Sequence, residues 1–299
     1  MSLKKEKKKD RAAELIRNSH NIFKCPVCGD GMHLNDSYSL VCSSNHSFDI
    51  SKKGYVNLLT SSNKEVYSRE LFESRHAICS RGFYEPIIES LKQIIQGYSD
   101  SASGIKEVTV LDAGCGEGSY LCNLYEKIKG ELKANLIGAD ISKEGISIAA
   151  TACNDVIWTV SDLTRLPLKN KSIDIILNIL SPANYPEFER ILSDDGIIIK
   201  VIPGEFYLQE LRKLVINNRS YSNQNVIDHF SKRLKLLQAQ NISYQYSIDE
   251  DLLPDLIKMT PLTWGKTDNR DLDLHQIDIK AITVDLTVMA GKVKRPAAI

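Results

Sequence analysis

The sequence lacks any long hydrophobic run. Its longest apolar stretches, at 173–177 and 196–199, have the length of a β-strand, whereas a membrane-spanning helix needs about 20 apolar residues. The lysine-rich segment 1–10 is not followed by an apolar stretch, so it does not resemble a secretory signal. We therefore expect a cytoplasmic protein with no membrane partner.

An excess of charge of either sign is also absent. The 299 residues include 38 Lys and Arg against 38 Asp and Glu, with 42% hydrophobic residues. This composition excludes a disordered chain but identifies no partner. The charge is uneven, because residues 1–24 carry eight basic and three acidic side chains. We interpret residues 1–20 as a basic flexible tail, and neutralisation of nucleic-acid phosphates is the alternative.

Three of the seven cysteines lie in one short segment with a histidine. Cys25 and Cys28 form a Cys-x2-Cys knuckle, and Cys42 and His46 form a Cys-x3-His knuckle after thirteen intervening residues. Two such knuckles can surround Zn²⁺ tetrahedrally, leave no position for water and stabilise a small fold. A Cys25–Cys28 disulfide and buried reduced thiols are the alternatives. We predict a structural zinc module over residues 21–62.

A glycine-rich turn follows the first strand of a second module. Residues 107–111 predict a strand and 119–129 a helix. The third glycine of the turn comes one residue too early for the dinucleotide pattern Gly-x-Gly-x-x-Gly. Two acids would repel a pyrophosphate but suit a cationic sulfonium with an amino-acid end, which indicates S-adenosylmethionine. The cofactor residues predicted in this turn are Asp112, Gly114, Gly116, Glu117 and Gly118.

Further acids end the next two predicted strands. Asp140 can accept hydrogen bonds from both ribose hydroxyls, although capping of the following helix is the alternative. Asp162, beside Leu163, suits the adenine amino group. Strands at 173–180 and 196–202 continue the alternation with helices. This rhythm predicts a parallel, doubly wound α/β sheet whose ligand lies at the carboxyl ends of the strands.

An ordered set of motifs extends over nearly the whole chain, from about residue 23 to residue 291. Besides the zinc knuckles, the motifs are His46-Ser47-Phe48-Asp49, Lys53-Gly54-Tyr55-Val56-Asn57-Leu58-Leu59, Arg81-Gly82-Phe83-Tyr84-Glu85-Pro86, Leu111 to Gly118, Pro203-Gly204, and Met259-Thr260-Pro261 with Trp264. In this combination the chain resembles the large-subunit ribosomal RNA (guanine-N1)-methyltransferases of the RlmA/TlrB type. These are class I S-adenosylmethionine-dependent methyltransferases.

The resemblance implies a fold and a division of roles. It implies a Rossmann-like, mostly parallel sheet of seven strands over residues 105–299, with antiparallel strands at 242–248 and 281–290. Residues 63–104 would form a helical linker. The zinc module would grip a hairpin of 23S ribosomal RNA while the sheet methylates guanine N1. A small-molecule methyltransferase acting on a quinone or antibiotic, and a catalytically dead RNA-binding protein, are the alternatives. A homodimer is left open.

The resemblance also implies site residues. The family's zinc ligands match Cys25, Cys28, Cys42 and His46, and its cofactor-contacting positions match Tyr84, Gly116, Glu117 and Tyr207. Tyr207 stands where a relative has histidine.

The segment after the fourth predicted strand supplies candidate substrate residues. They are Asn178, Ser181 and Pro182, where the amide would recognise the base edge and the proline would line its face. A purely structural turn is the alternative. Because neutral guanine carries a proton on N1, the reaction needs a general base. The sequence identifies none, so we assign no catalytic residue.

Overall fold

The computed structural model describes residues 7–19, 22–61, 67–101, 107–215, 222–249, 251–260 and 279–294. Its helices are α1 (Lys8–Asn18), α2 (Arg69–Ser80), α3 (Glu85–Ser101), α4 (Ser119–Ile128), α5 (Lys143–Ala152), α6 (Tyr185–Ile191), α7 (Gln209–Val215), α8 (Gln224–Arg233) and α9 (Leu253–Lys258). Within the described residues, no helix is long and apolar enough to span a bilayer. Pro261 and Trp264 of the last motif lie outside the described residues.

The strands belong to two sheets. They are β1 (Met32–Leu34), β2 (Ser39–Cys42), β3 (Ser47–Asp49), β4 (Tyr55–Asn57), β5 (Val108–Ala113), β6 (Ala134–Asp140), β7 (Ile157–Val160), β8 (Ile173–Ile179), β9 (Leu192–Pro203), β10 (Leu234–Ser247) and β11 (Ala281–Val293). The small sheet has the order β1-β2-β3, and the large sheet has the order β10-β11-β9-β8-β5-β6-β7-β4.

The large sheet confirms the predicted Rossmann-like α/β fold. Strands β9 to β4 in that order run parallel, whereas β11 is antiparallel to both of its neighbours. Strands β5 and β8 are buried over nearly their whole length, as expected for a parallel sheet that helices cover on both faces. Because parallel strands end at one edge, the acids that follow β5 and β6 are brought together there.

The seven strands predicted for residues 105–299 are confirmed, and the large sheet contains an eighth strand from outside that range. The additional strand, β4, comes from the predicted zinc module and pairs in parallel with β7, with Tyr55 opposite Trp158. Tyr55 and Val56 are buried there, so β4 covers a sheet edge that would otherwise expose unpaired backbone groups. The two predicted modules therefore share one sheet.

The prediction of a flexible tail over residues 1–20 is wrong for residues 8–18, which form α1. The helix has a short apolar face within a lysine-rich sequence. Ala12, Ala13 and Ile16 are buried, and their spacing places them on one side of the helix. This face packs in one cluster with Leu40 of the small sheet and Ile157 of the large sheet. Helix α1 thus joins the two sheets.

The segment 63–104 is also more than a linker. Ile87, Leu91 and Ile95 of α3 are fully buried and belong to the same core as Val110 of β5 and Leu177 of β8. Their i, i+4 spacing gives α3 a continuous apolar stripe. Helices α2 and α3 are therefore part of the core of the large sheet.

Candidate active site and metal centre

Three thiols and one imidazole converge beside the small sheet. The ligand atoms of Cys25, Cys28, Cys42 and His46 all lie within 4.8 Å of one another. Cys28 Sγ is 3.6 Å from Cys42 Sγ, which is 3.4 Å from His46 Nδ1. Tetrahedral zinc with Zn–S bonds of about 2.3 Å would place two sulfurs about 3.8 Å apart. The predicted ligands therefore fit zinc, and Cys25 and Cys28 are free thiols.

Tight turns position these ligands. The Gly29 N–H donates to the Cys25 carbonyl and the Val27 N–H donates to Cys25 Sγ. Cys42 ends β2, and the Asn45 N–H donates back to its carbonyl. The site has four protein ligands, so it is closed to water and has a structural role.

Two glycines of the turn after β5 are required by their conformation and surroundings. Gly114 and Gly118 have φ values of +87° and +80°, a region that other residues rarely occupy. A Cβ atom on Gly114 would overlap the Ser181 hydroxyl, and one on Gly118 would lie 2.5 Å from the Trp158 ring. The turn therefore depends on close contacts of its backbone with β7 and with the segment after β8.

Two acids of this turn are buried, and Glu117 interacts with the Arg75 guanidinium. Asp112 and Glu117 are each 1% exposed, and within the described part of the chain no hydrogen bond reaches either Asp112 oxygen or Glu117 Oε1. Burial, together with the Asp140 and Glu117 carboxylates, raises the pKa of Asp112 well above its usual range. An unpaired buried carboxylate such as that of Asp112 is costly. Its presence fits a cationic ligand such as the ammonium group of S-adenosylmethionine.

Asp140 holds the turn rather than capping the next helix. Its Oδ2 accepts from the Gly116 N–H at 2.8 Å and its Oδ1 accepts from the Ser142 N–H at 2.8 Å. Helix α5 is capped by Ser142, whose Oγ accepts from the Gly145 N–H. A carboxylate has about four acceptor positions, so Asp140 keeps capacity for ribose hydroxyls.

The turn separates two cavities at the carboxyl edge of the sheet. The larger, of about 800 Å³, is lined by Gly116, Asp140, Asp162 and Leu163. The smaller, of about 420 Å³, is lined by Tyr84, Asp112, Glu117 and Tyr207. Gly114, Ser181 and Pro182 line both. The structure thus brings together every predicted cofactor residue except Gly118, which lies behind the turn against Trp158.

Tyrosines form one wall of the smaller cavity. The Tyr84 and Tyr207 hydroxyls are 2.6 Å apart, and the rings of Tyr84 and Tyr120 lie 5.0 Å apart. Burial raises the pKa of Tyr84 well above its usual value, so its hydroxyl stays protonated. This wall excludes water from the space beside Asp112.

Asn178 does not reach either cavity, so its predicted contact with a base edge is wrong and the structural alternative holds. Its side chain is fully buried. The amide nitrogen donates to the carbonyls of Ala113 and Pro182, and its oxygen accepts from Lys200 Nζ. Asn178 therefore fixes the segment after β8 against the end of β5.

The cavity residues that the sequence analysis missed include Arg75, Tyr120 and Lys200. Arg75, on α2, lines both cavities. No local pattern marks Arg75 or Tyr120, because each is an ordinary helix residue. Lys200 had a signal, since it is a charged residue inside the apolar strand that predicts β9.

Comparisons with known proteins agree with both parts of this arrangement. A zinc-ribbon family model described as RlmA, N-terminal, matches residues 23–66, and a methyltransferase-domain model matches residues 110–195.

Several curated relatives match over most of their length. YxjB of Bacillus subtilis strain 168, provisionally named a 23S rRNA (guanine-N1)-methyltransferase, is 37% identical over 91% of this chain and 97% of its own. A protein of Micromonospora griseorubida, provisionally named in the same way, is 28% identical over 90% of this chain and 94% of its own. The 23S rRNA (guanine(748)-N1)-methyltransferase of Streptomyces fradiae is 27% identical over 83% of this chain and 88% of its own.

The zinc cluster, the acidic glycine-rich turn and these relatives agree over most of the chain. The chain belongs to the RlmA-type family of 23S rRNA (guanine-N1)-methyltransferases.

Proposed function

We propose that the protein transfers a methyl group from S-adenosylmethionine to N1 of a guanine in a hairpin of 23S ribosomal RNA, in the cytoplasm. The observation that carries this proposal is the buried Asp112 carboxylate beside Glu117 at the glycine-rich turn, since within the described residues neither Asp112 oxygen accepts a hydrogen bond. The names of the relatives support the choice of guanine N1 and 23S RNA.

The residues at the turn can hold each part of the cofactor. Asp112 and Glu117 would bind the ammonium group, and Arg75, which lines both cavities, would bind the carboxylate. Asp140 would accept from the ribose hydroxyls, with Asp162 and Leu163 beside the adenine in the larger cavity. The bound cofactor supplies an electrophilic methyl group on sulfur. The protein itself holds the acceptor in line with that group and shields both from water.

The larger cavity also suits a nucleic-acid acceptor. Beyond the cofactor residues it continues to Tyr185 and to three side chains of α8, namely His229, Lys232 and Arg233. Basic side chains at the mouth of a cavity can neutralise the phosphates that flank a target nucleotide. Because an enzyme acting on a hairpin base must receive an unpaired or flipped nucleotide, a deep cavity with a basic rim supports an RNA substrate over a quinone.

The test is incubation of the purified protein with labelled S-adenosylmethionine and protein-free 23S ribosomal RNA. We expect label in the RNA, recovered after nuclease digestion as N1-methylguanosine by mass spectrometry. Parallel reactions contain a quinone or a macrolide in place of RNA. Label in those reactions alone would show a small-molecule enzyme, and cofactor binding without transfer would show a catalytically dead protein. The proposed homodimer is tested on the same preparation by light scattering.

A further inference from the structure

Lys200 places a buried amine at the smaller cavity. The residue lies on β9 and is only 4% exposed. It lines the cavity together with Ser181 and Pro182, which follow β8. The carboxyl edge of the sheet therefore carries a lysine as well as the acids of the cofactor turn.

The hydrogen bonds of Lys200 leave one position on Nζ unused. Nζ donates to Asn178 Oδ1 at 2.5 Å and to the Ser181 carbonyl. Within the described part of the chain, Nζ has no other acceptor and no ion-pair partner. A neutral amine has two N–H groups and one lone pair. In the neutral form of Lys200, the two hydrogen bonds to protein use both N–H groups. The lone pair of Nζ is then free, on a residue that lines the smaller cavity.

The surroundings of Lys200 favour this neutral form. Burial lowers the pKa of Lys200 to about 8, because the ammonium ion loses its hydration. The neighbouring positions on β8 and β11 are the uncharged Asn178 and Met289. The titratable or charged side chains that line the same cavity from other elements are Arg75, Tyr84, Asp112, Cys115, Glu117, Tyr120, Tyr207 and Arg212. An amine that is partly neutral near neutral pH is well matched to proton transfer.

We propose that Lys200 is the general base that removes the N1 proton of the acceptor guanine, which would enter through the larger cavity and reach the smaller one at Ser181 and Pro182, the residues that line both. This inference rests on the proposed function. The N1–H bond breaks, its electron pair stays on the base, and the proton binds the Lys200 lone pair to give an ammonium ion. The N1 electron pair then forms the bond to the methyl carbon as the carbon–sulfur pair moves onto sulfur. The ammonium proton later returns to water.

Other polar groups at or beside the two cavities are less suited to accept the proton. Asp112 and Glu117 lie at the cofactor position, and Asp140 is held by two backbone N–H groups. The Tyr84 hydroxyl is held protonated by burial, so it cannot accept a proton at neutral pH. The Asn178 amide has no basic nitrogen. Lys200 is therefore the cavity group whose free lone pair suits this step.

Two substitutions separate proton removal from a structural role. Lys200→Met removes the amine, and Lys200→Arg keeps a charged donor that does not deprotonate. We expect both variants to lose about 10²–10⁴-fold in single-turnover rate, with cofactor affinity and melting temperature close to wild type. Lys129→Met, on an exposed lysine at the end of α4, is the matched control with the wild-type rate.

The pH profile provides the decisive readout. The wild-type rate should rise about tenfold per pH unit and level near the Lys200 pKa of about 8. The Lys200→Met rate should continue to rise above that pH, because the acceptor guanine must then lose its N1 proton to solvent. If the Lys200 ammonium group had only a structural role, Lys200→Arg would retain activity. The pH profile of Lys200→Met would then keep the shape of the wild-type profile. Either result overturns the proposal.

A measurement without turnover completes the test. In protein labelled with ¹³C at lysine Cε, the resonance missing from Lys200→Arg should titrate near the wild-type kinetic midpoint. A titration midpoint near that of exposed lysines would overturn the proposal. Because this measurement uses Lys200→Arg and the wild type, it remains decisive even if Lys200→Met fails to fold. Absence of N1-methylguanosine with wild-type protein would instead contradict the proposed function, so the two failures are distinguishable.

Discussion

The small zinc-binding sheet and the large sheet are stabilised in different ways. Strands β1 to β3 have three or four residues each, and β3 is mostly exposed. The large sheet buries completely such side chains as Trp158, Phe188 and Ile175. Apolar burial can stabilise the large sheet, whereas the small one depends on its metal site. The comparison shows that one chain can stabilise two neighbouring sheets by different interactions, a metal site in one and apolar burial in the other.

The separation of the two sheets is not complete, because two elements join them. Strand β4 leaves the zinc module and pairs with β7, and α1 packs against residues of both sheets. A metal-dependent module is thereby held against the large sheet. The predictions below test how far the two regions are independent.

The largest effect is expected from loss of the metal. Cys42→Ser, or chelation, should reduce methylation of 23S RNA by more than about 100-fold, because the small sheet loses its main stabilising bonds. Affinity for S-adenosylmethionine should stay within about threefold, since its residues lie on the large sheet. Metal analysis shows that the metal has been lost, and calorimetry on the same sample measures the affinity for S-adenosylmethionine. Cys153→Ser, outside the cluster and not among the residues that line the two cavities, is the control. Equal loss of cofactor binding in Cys42→Ser would contradict the separation.

The second prediction concerns the joint formed by α1. Ile16 is 4% exposed, so Ile16→Ala should lower the free energy of unfolding by about 2–5 kcal/mol. Arg17→Ala, on the exposed face of the same helix, should change it by less than about 0.5 kcal/mol. Urea denaturation measures both. Similar small values for the two variants would show that α1 is detached from the sheets.

The third prediction tests the acids of the large sheet. Asp112→Asn removes a buried charge at the cofactor's ammonium position, so S-adenosylmethionine should bind about 1.5–3 kcal/mol more weakly. Asp195→Asn, at an exposed carboxylate, is the matched control with unchanged affinity. Titration calorimetry gives both values. Wild-type affinity in Asp112→Asn would exclude this carboxylate from cofactor binding.

The smallest effect is a pH dependence of the same site. Since the pKa of Asp112 is raised, the free protein retains a proton that the unfolded chain has lost. The free energy of unfolding should therefore fall as pH rises from the ordinary to the raised pKa.

A bound ammonium favours the ionised carboxylate, so S-adenosylmethionine should bind with proton release and more tightly as pH rises in that window. Calorimetry at about pH 6 in buffers of different ionisation enthalpy detects up to about one proton. Proton uptake instead of release would contradict the assignment.

Motifs with fixed spacing could be predicted from the sequence. The zinc ligands and the glycine-rich turn depend on local chemistry, so Cys25, His46 and Gly114 were found without knowledge of the fold. Helix α1 was missed because five lysines precede its short apolar face in the sequence. Strand β4 was missed because three residues carry too little periodicity to predict a strand.

Roles set by long-range contacts were harder to predict. Whether Asn178 contacts a base or has a structural role depends on where β5 places the Ala113 carbonyl and where β9 places the Lys200 amine. Arg75 reaches the cavities from a helix that sequence reasoning treated as a linker. These residues acquire their function from packing between elements distant in sequence, which a local pattern does not encode.

From the family resemblance we propose that the zinc module grips the RNA hairpin in which the large sheet methylates a guanine. Mapping of the methyl group in 23S RNA tests this proposal most directly. N1-methylguanine blocks Watson–Crick pairing, so reverse transcriptase stops at it. The account predicts one strong stop, in a hairpin, with wild-type protein and loss of that stop with Cys42→Ser. Stops spread over many guanines, or an unchanged stop with Cys42→Ser, would contradict it.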